Sequence, residues 1–322
     1  MAHRCNTTLE TAWNKENAEH PTFAAFNLAI RELRKYVNQS SGIQDKLPKT
    51  LKGGCGTRAW RSYFTIHDSL NASIEQLNNV LRERQEQHRL FNIDPILVKE
   101  IVKLMNPFSM IFDKLEMANI PTLQNVVPNY YRMMNDVRAD INDHKIVDAL
   151  KTKIRSCLDD KFLSSILPIH WVATYLDPSF KSFSFVSDRS YLETQKKTVR
   201  KGLHILMSNI IHHPDISCTL QHSFDNSPPS KRMKKDDPFS DFLNAKTTKH
   251  PSNGNRNALT IELDRQIQMY DSMEIDDDYD NNPFTFWYRH KGDLSLLAKI
   301  SKSLLVIPAS SVGMHQLQFF TS

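Results

Sequence analysis

A chain of 322 residues with 40 % apolar content can build one large domain or two ordinary ones, each with a real core. Only 8 Gly against 15 Pro, among stretches rich in Leu, Ile, Lys, Glu, Gln and Asn, point to a mainly α protein and leave little room for sheet. The charge of +5 permits nucleic acid as a partner without demanding it, the four scattered cysteines (Cys5, Cys55, Cys157, Cys218) lack the spacing of a zinc site and fit a reducing compartment, and no apolar run approaches the roughly 20 residues of a membrane span.

The first twenty residues hold no apolar core of signal-peptide length, so a soluble, intracellular protein is expected. Residues 1 to 40 read as helix broken at Pro21, after which Phe23, Phe26, Ile30, Leu33 and Val37 share one face. A polar loop from Gln39 to Thr57, with Gly42, Pro48, Gly53, Gly54 and Gly56, separates these helices from the next. From Trp60 to Leu90 the residues Tyr63, Ile66, Leu70, Ile74, Leu77 and Leu81 form a nearly heptad stripe. Asp94-Pro95 supplies an N-cap and a first-turn proline for a helix carrying Ile101, Leu104, Phe108, Ile111 and Leu115, with a kink expected at Pro107. Pro121-Thr122 starts another, with Val126, Tyr130, Met133, Val137 and Ile141 on one face, and Ile146, Leu150, Ile154 and Phe162 mark its successor. Short polar connections such as Asn142-Asp143-His144 favour antiparallel hairpins.

Residues 169 to 186 lose the helical rhythm at Asp177-Pro178 and read as a helix end followed by an extended turn, with Asp177 capping it. Helix resumes over 190 to 213, with Leu203, Leu206 and Ile210 inward and Lys196, Lys197, Arg200 and Lys201 outward. That basic face is either a solvated helix surface or a track for phosphates. Between Thr219 and Asn257 the composition turns to Ser, Pro, Asn, Lys and Asp, as in a disordered insert. Within it Lys231, Arg232, Lys234 and Lys235, behind Pro228-Pro229, read as a nuclear-import signal or as a solvated charge run. Leu259, Leu263, Ile267 and Tyr270 mark one more helix, and the acidic run Glu274 to Asp280, which lacks the glycine and closing Glu of a calcium loop, reads as a linker. Phe284, Phe286, Trp287 and Tyr288 then open a helix-like segment with Leu294, Leu297, Ile300 and Leu304 at spacings of three and four, closed by Ile307-Pro308-Ala309-Ser310-Ser311.

Four segments, taken in order, carry a family resemblance. They are Thr57-Arg58-Ala59-Trp60-Arg61-Ser62; Asn106-Pro107-Phe108 with Pro121-Thr122 through Val127-Pro128; Ala173-Thr174-Tyr175-Leu176-Asp177-Pro178; and Asn282 to Ser311. Together they resemble hAT-family transposases of the hobo and Hermes type. The resemblance implies a helical insertion domain plus the C-terminal remnant of an RNase H-like core. It divides the chain into a core remnant with entry helices (1–56), the insertion domain (57–218), the disordered insert (219–258), a dimerisation-like region (259–311) and an aberrant tail (312–322). It implies a nuclear protein that pairs with itself through Phe284, Trp287, Leu294, Leu297, Ile300, Leu304, Ile307 and Pro308. DNA is the implied further partner, with no membrane and no small-molecule substrate. Arg58 and Trp60 match the pair associated with strand transfer, where an indole stacks on an unpaired base. Here Ala59 separates them, and the alternative is a Trp that anchors the long helix in the core.

Catalysis in the family resembles two-metal phosphoryl transfer, with Mg²⁺ or Mn²⁺ held by three carboxylates. The last of these, a Glu, is expected about one helical turn after Ile-Pro-Ala-Ser-Ser. Met314 and His315 stand there instead, and no Asp or Glu follows Asp293. A neutral imidazole does not supply the charge with which a carboxylate holds Mg²⁺. The two partner Asp residues would precede Met1. The expectation is therefore a truncated or transposase-derived chain with no catalytic residue, no metal site and no cofactor. Two alternatives stay open: a domesticated regulator that binds DNA or chromatin, and a fragment of an active transposase.

Overall fold

The computed structural model describes residues 1–40, 42–51, 59–116, 121–212, 253–275 and 279–309. Helices occupy most of them and no strand occurs among them, as the composition predicts. The described residues divide into two compact units: those within 1–116, 128–166 and Ala309 in one, and those within 121–127 and 167–308 in the other.

The first unit is built around α1 (Ala2–Glu19), which packs against α2 (Pro21–Gln39), α3 (Ala59–Glu83), α4 (Pro95–Glu116) and α6 (Lys145–Cys157). Pro21 ends α1 and opens α2 because its ring removes an N–H that a first-turn position does not use. All five apolar residues of the expected α2 face are buried. Trp13 is the centre of this core: its ring stacks on Tyr63 at 5.0 Å and meets Phe23 edge-on at 4.9 Å and His67 at 5.3 Å. Asp94 caps α4 as expected, its Oδ1 accepting the Ile96 N–H at 2.8 Å, and the helix runs on through Pro107 to Glu116. Helix α5 (Val126–Asp136) buries Tyr130 and Met133, and Val137 is buried just past its end.

Two boundaries in this unit differ from the sequence reading. The helix begun at Ala59 stops at Glu83, where Gln85 takes a left-handed φ of 57°, and Gln87–Leu90 forms a separate 3₁₀ turn. Ile141, expected on the inner face of α5, lies beyond its end in a turn tied by Asp140 and Asp143, and is 98 % exposed. Backbone hydrogen bonding to those carboxylates ends the helix before the hydrophobic repeat runs out.

The second unit is arranged around a short helix, α7 (Pro168–Tyr175), every residue of which from Ile169 to Tyr175 is buried. Its neighbours are a 3₁₀ turn at Leu123–Asn125, α8 (Arg189–His212) and three later helices: α9 (Asn253–Ser272), α10 (Pro283–Arg289) and α11 (Ser295–Leu305). Helix α9 starts several residues before the expected Leu259. The single helix-like segment expected after Phe284 is two helices with a turn between.

His67 gives the first unit a measurable pH dependence. It is 2 % exposed, its Nδ1–H donates to the Tyr63 carbonyl at 2.7 Å, and burial lowers its pKa to about 4 against 6.5 for the free side chain. Between these values the unfolded chain binds the extra proton, so stability falls as pH drops from 6.5 towards 4, by as much as about 3 kcal/mol. The His67→Gln variant is expected to lose this slope, measured by urea denaturation across that pH range.

Candidate functional site

Two of the four resembling segments meet in the second unit. Helix α7 carries Ala173-Thr174-Tyr175 and ends at Leu176, leaving its last carbonyls without helical partners inside a buried setting. Side chains from far along the chain supply the donors. Trp287 Nε1–H donates to the Leu176 carbonyl at 2.7 Å, across 111 residues of sequence, and the Tyr270 hydroxyl donates to the Tyr175 carbonyl at 3.1 Å, across 95. The donor rings pack on each other, Tyr270 on Trp287 at 5.0 Å and Tyr175 on Tyr270 at 5.2 Å. The Tyr175 hydroxyl donates in turn to Asp271 Oδ1 at 2.8 Å.

Asp177 and Pro178 turn the chain under this cluster. Asp177 Oδ1 accepts the Ser179 N–H at 3.0 Å and opens a 3₁₀ turn, Pro178–Phe180, with proline at its first position. The turn delivers Lys181 to the C-terminal end of α9, where Nζ donates to the Tyr270 carbonyl at 2.7 Å and to the Met273 carbonyl. A cation at that end also complements the helix dipole. Asp177 is 4 % exposed, and burial pushes its carboxyl up to about 6, against the lowering effect of Ser179 and of the Tyr279 hydroxyl 3.4 Å away. Burial holds the Tyr175 and Tyr270 phenols neutral. The arrangement is a structural joint: its polar atoms are engaged with backbone and with one another, and its carboxylate holds a turn.

A second joint fixes α11. The side chain at its N-cap, Leu294, has no acceptor, and Gln266 of α9 substitutes: Oε1 accepts from the Leu296 N–H at 2.8 Å and the Leu297 N–H at 3.3 Å. Gln266 is itself oriented by donating to Glu262 Oε1 at 2.8 Å. Of the eight residues expected to pair two copies, Trp287, Leu294, Leu297, Ile300 and Leu304 are buried within this unit. Phe284 and Ile307 are half-buried and Pro308 is exposed, beside Tyr288 at 71 % and Val306 at 53 % exposure.

The basic face of α8 lies where the periodicity puts it. Lys196, Lys197, Arg200 and Lys201 are all exposed, with Val199 and Leu203 buried on the opposite side and Leu206 and Ile210 half-buried. Lys196 pairs with Glu193 at 3.1 Å, and Arg200 stands 4.0 Å from Asp264, which also contacts His204 at 3.1 Å. Lys197 and Lys201, one turn apart, enter no ion pair among the described residues. Arg58 and the import-signal residues Lys231, Arg232, Lys234 and Lys235 lie outside the described residues, as does the side chain of Trp60, whose backbone belongs to α3. In that segment Arg61 is described: it pairs with Asp113 of α4 at 2.6 Å and with Glu116 at 3.4 Å.

Gln266, Lys181, Tyr279 and Asp271 went unread in the sequence. Each is a polar residue whose partner is defined only in three dimensions, and no local spacing marks it.

No family model matches the chain. It is similar to the transposable element Hobo transposase of Drosophila melanogaster, with 24 % identity over 186 residues. That match covers 55 % of this chain and 26 % of that protein, so this chain spans well under two thirds of its relative. The relationship is distant, and it is to a transposase.

Two substitutions test the joint. Trp287→Phe keeps an aromatic ring, though a smaller one, and removes the N–H that pairs with the Leu176 carbonyl, and is expected to destabilise the second unit by about 1–3 kcal/mol or more in chemical denaturation. Asp177→Asn keeps an acceptor for Ser179 and removes a charge that is unfavourable in the fold above pH 6. The variant is expected to be more stable than the parent at pH 8, the difference closing as pH falls from about 6 to about 4.

Proposed function

We propose that this chain, a distant relative of a transposase, is a DNA-associated assembly module that binds without cleaving. The observation that carries the reading is the meeting of the Ala173–Pro178 and Asn282–Ser311 segments through the Trp287–Leu176 hydrogen bond. Segments that resemble one family, and lie over a hundred residues apart, serve one joint here. The sequence match to the hobo transposase supports the same descent. The helical insertion domain, the RNase H-like remnant and the five-part division of the chain belong to this proposal.

The metal chemistry implied by the resemblance needs carboxylates that converge. Among the described residues no three of His, Cys, Asp and Glu are placed to hold an ion. Asp177 and Asp271, the carboxylates nearest the joint, are engaged with Ser179 and Tyr175. These residues do not fit a two-metal site, and Met314 and His315 stand where the family motif calls for its Glu.

DNA contact is assigned to the outer face of α8, where Lys197 and Lys201 are exposed and enter no ion pair among the described residues. Nuclear entry is assigned to Lys231, Arg232, Lys234 and Lys235. Among the described residues no helix is long and apolar enough to cross a membrane. Self-association is assigned to the C-terminal region. The stripe from Leu294 to Leu304 is buried within the unit, so the contact falls to its rim, exposed at Tyr288, Val306 and Pro308 and half-buried at Phe284 and Ile307.

Lys197→Glu with Lys201→Glu is expected to weaken duplex DNA binding at low salt and to lower the slope of log K against log salt by about 2, read by fluorescence anisotropy. An unchanged slope would remove α8 from the interface. The purified chain is expected neither to nick nor to join DNA ends in Mg²⁺ or Mn²⁺; cleavage would overturn the non-catalytic reading. Sedimentation should show a concentration-dependent dimer that Tyr288→Glu with Val306→Glu converts to monomer while the circular dichroism spectrum is unchanged.

A further inference from the structure

The basic face of α8 is partly neutralised by carboxylates of its own unit. At about 100° per residue, Lys196, Lys197, Arg200, Lys201 and His204 fall within an arc of roughly 140°, with His204 between Arg200 and Lys197. Val199 and Leu203 are buried behind it. From Lys196 to His204 the face runs about 12 Å, roughly the axial rise of three or four phosphates on one strand of a duplex.

Two carboxylates reach into this arc. Glu193, on the same helix, pairs with Lys196 at 3.1 Å. Asp264 comes from α9: its Oδ1 accepts the His204 Nε2–H at 3.1 Å, and Arg200 Nε stands 4.0 Å from the same oxygen. Two more carboxylates lie at the margins. Asp188, ahead of the first turn of α8, accepts the Tyr191 N–H at 3.0 Å, and Asp271 accepts the Tyr175 hydroxyl within the field of Lys181.

The hold of Asp264 on Arg200 is loose. At 4.0 Å it is a charge contact beyond hydrogen-bond range, and the two side chains are 52 % and 40 % exposed, so water screens it. The His204 bond keeps the carboxylate at α8, whereas the next residue of α9, Arg265, pairs with Glu262 at 2.8 Å. A phosphate offers a guanidinium two parallel hydrogen bonds in the fork geometry, which this contact does not. The Asp264 charge also opposes the approach of a phosphate.

We infer that Asp264 limits the affinity of the α8 face for duplex DNA by occupying Arg200, and that Arg200 becomes a phosphate contact once that carboxylate is displaced or neutralised. The inference rests on the assignment of DNA to α8 made above and adds the group that regulates that face. Phosphates carry no base identity, so the effect is the same for unrelated duplex sequences.

The test is anisotropy of a labelled short duplex with the full chain, titrated at neutral pH and several salt concentrations. Asp264→Asn, which keeps an acceptor for His204, is expected to bind about three- to tenfold more tightly at low salt and to steepen the slope of log K against log salt by about 1, the contribution of one added phosphate contact. In a chain carrying Arg200→Ala the same substitution is expected to give almost no gain, because the residue it releases is missing. The variants are compared at matched circular dichroism. Unchanged affinity for Asp264→Asn, in a chain whose binding still depends on Lys197 and Lys201, would overturn the inference and leave the DNA assignment standing. An equal gain with and without Arg200 would overturn it as well, by making Asp264 a distant charge that repels DNA. If the chain does not bind the duplex, or Lys197→Glu with Lys201→Glu leaves the slope unchanged, the assignment of DNA to α8 falls and this inference with it.

Discussion

The second unit depends on how the end of one buried helix is satisfied. Helix α7 is buried on every side, so no face of it can turn its last carbonyls towards water. A carbonyl left unpaired there would cost a desolvation penalty comparable to the net worth of one or two hydrogen bonds. Trp287 and Tyr270 supply the missing donors, and their rings fill the space beside α7. That fixes α9 and α10 against it. Gln266 extends the dependence by using its place on α9 to cap α11. Four helices are thus placed through a few side-chain to backbone bonds, and apolar packing fills in around them.

The same economy decides what remains for a partner. A stripe of leucines at helical spacing is equally good at packing inside a unit and at packing on another molecule, and in α11 the inside use prevails. What the fold leaves exposed is different in kind: the rim around Tyr288 and Val306 and the lysines of α8. These are side chains at positions where helices end or face outward. The first unit has a comparable tension in its core, where Glu16 is fully buried, its carboxylate has no hydrogen-bond donor among the described residues, and His20 approaches to 3.5 Å. Burial raises the pKa of Glu16, the response of a carboxyl in an apolar setting.

By itself the sequence determined the helical class, the break at Pro21, the cap at Asp94, the turn at Asp177 and the inward faces of α2, α4 and α8. Each rests on local chemistry: a proline without an N–H, an aspartate within reach of the next amides, a repeat close to 3.6. It misread Ile141, because a repeat does not say where competing side chains end a helix, and it read α7 as a helix end, because a segment buried on all sides has no periodicity to detect. Only the tertiary structure decided that Leu176 and Trp287 are partners, that Gln266 caps a helix on another segment, and that the leucines of α11 face inward. Those outcomes depend on which unsatisfied backbone group comes to lie beside which side chain after the chain has folded, and sequence spacing carries no record of it.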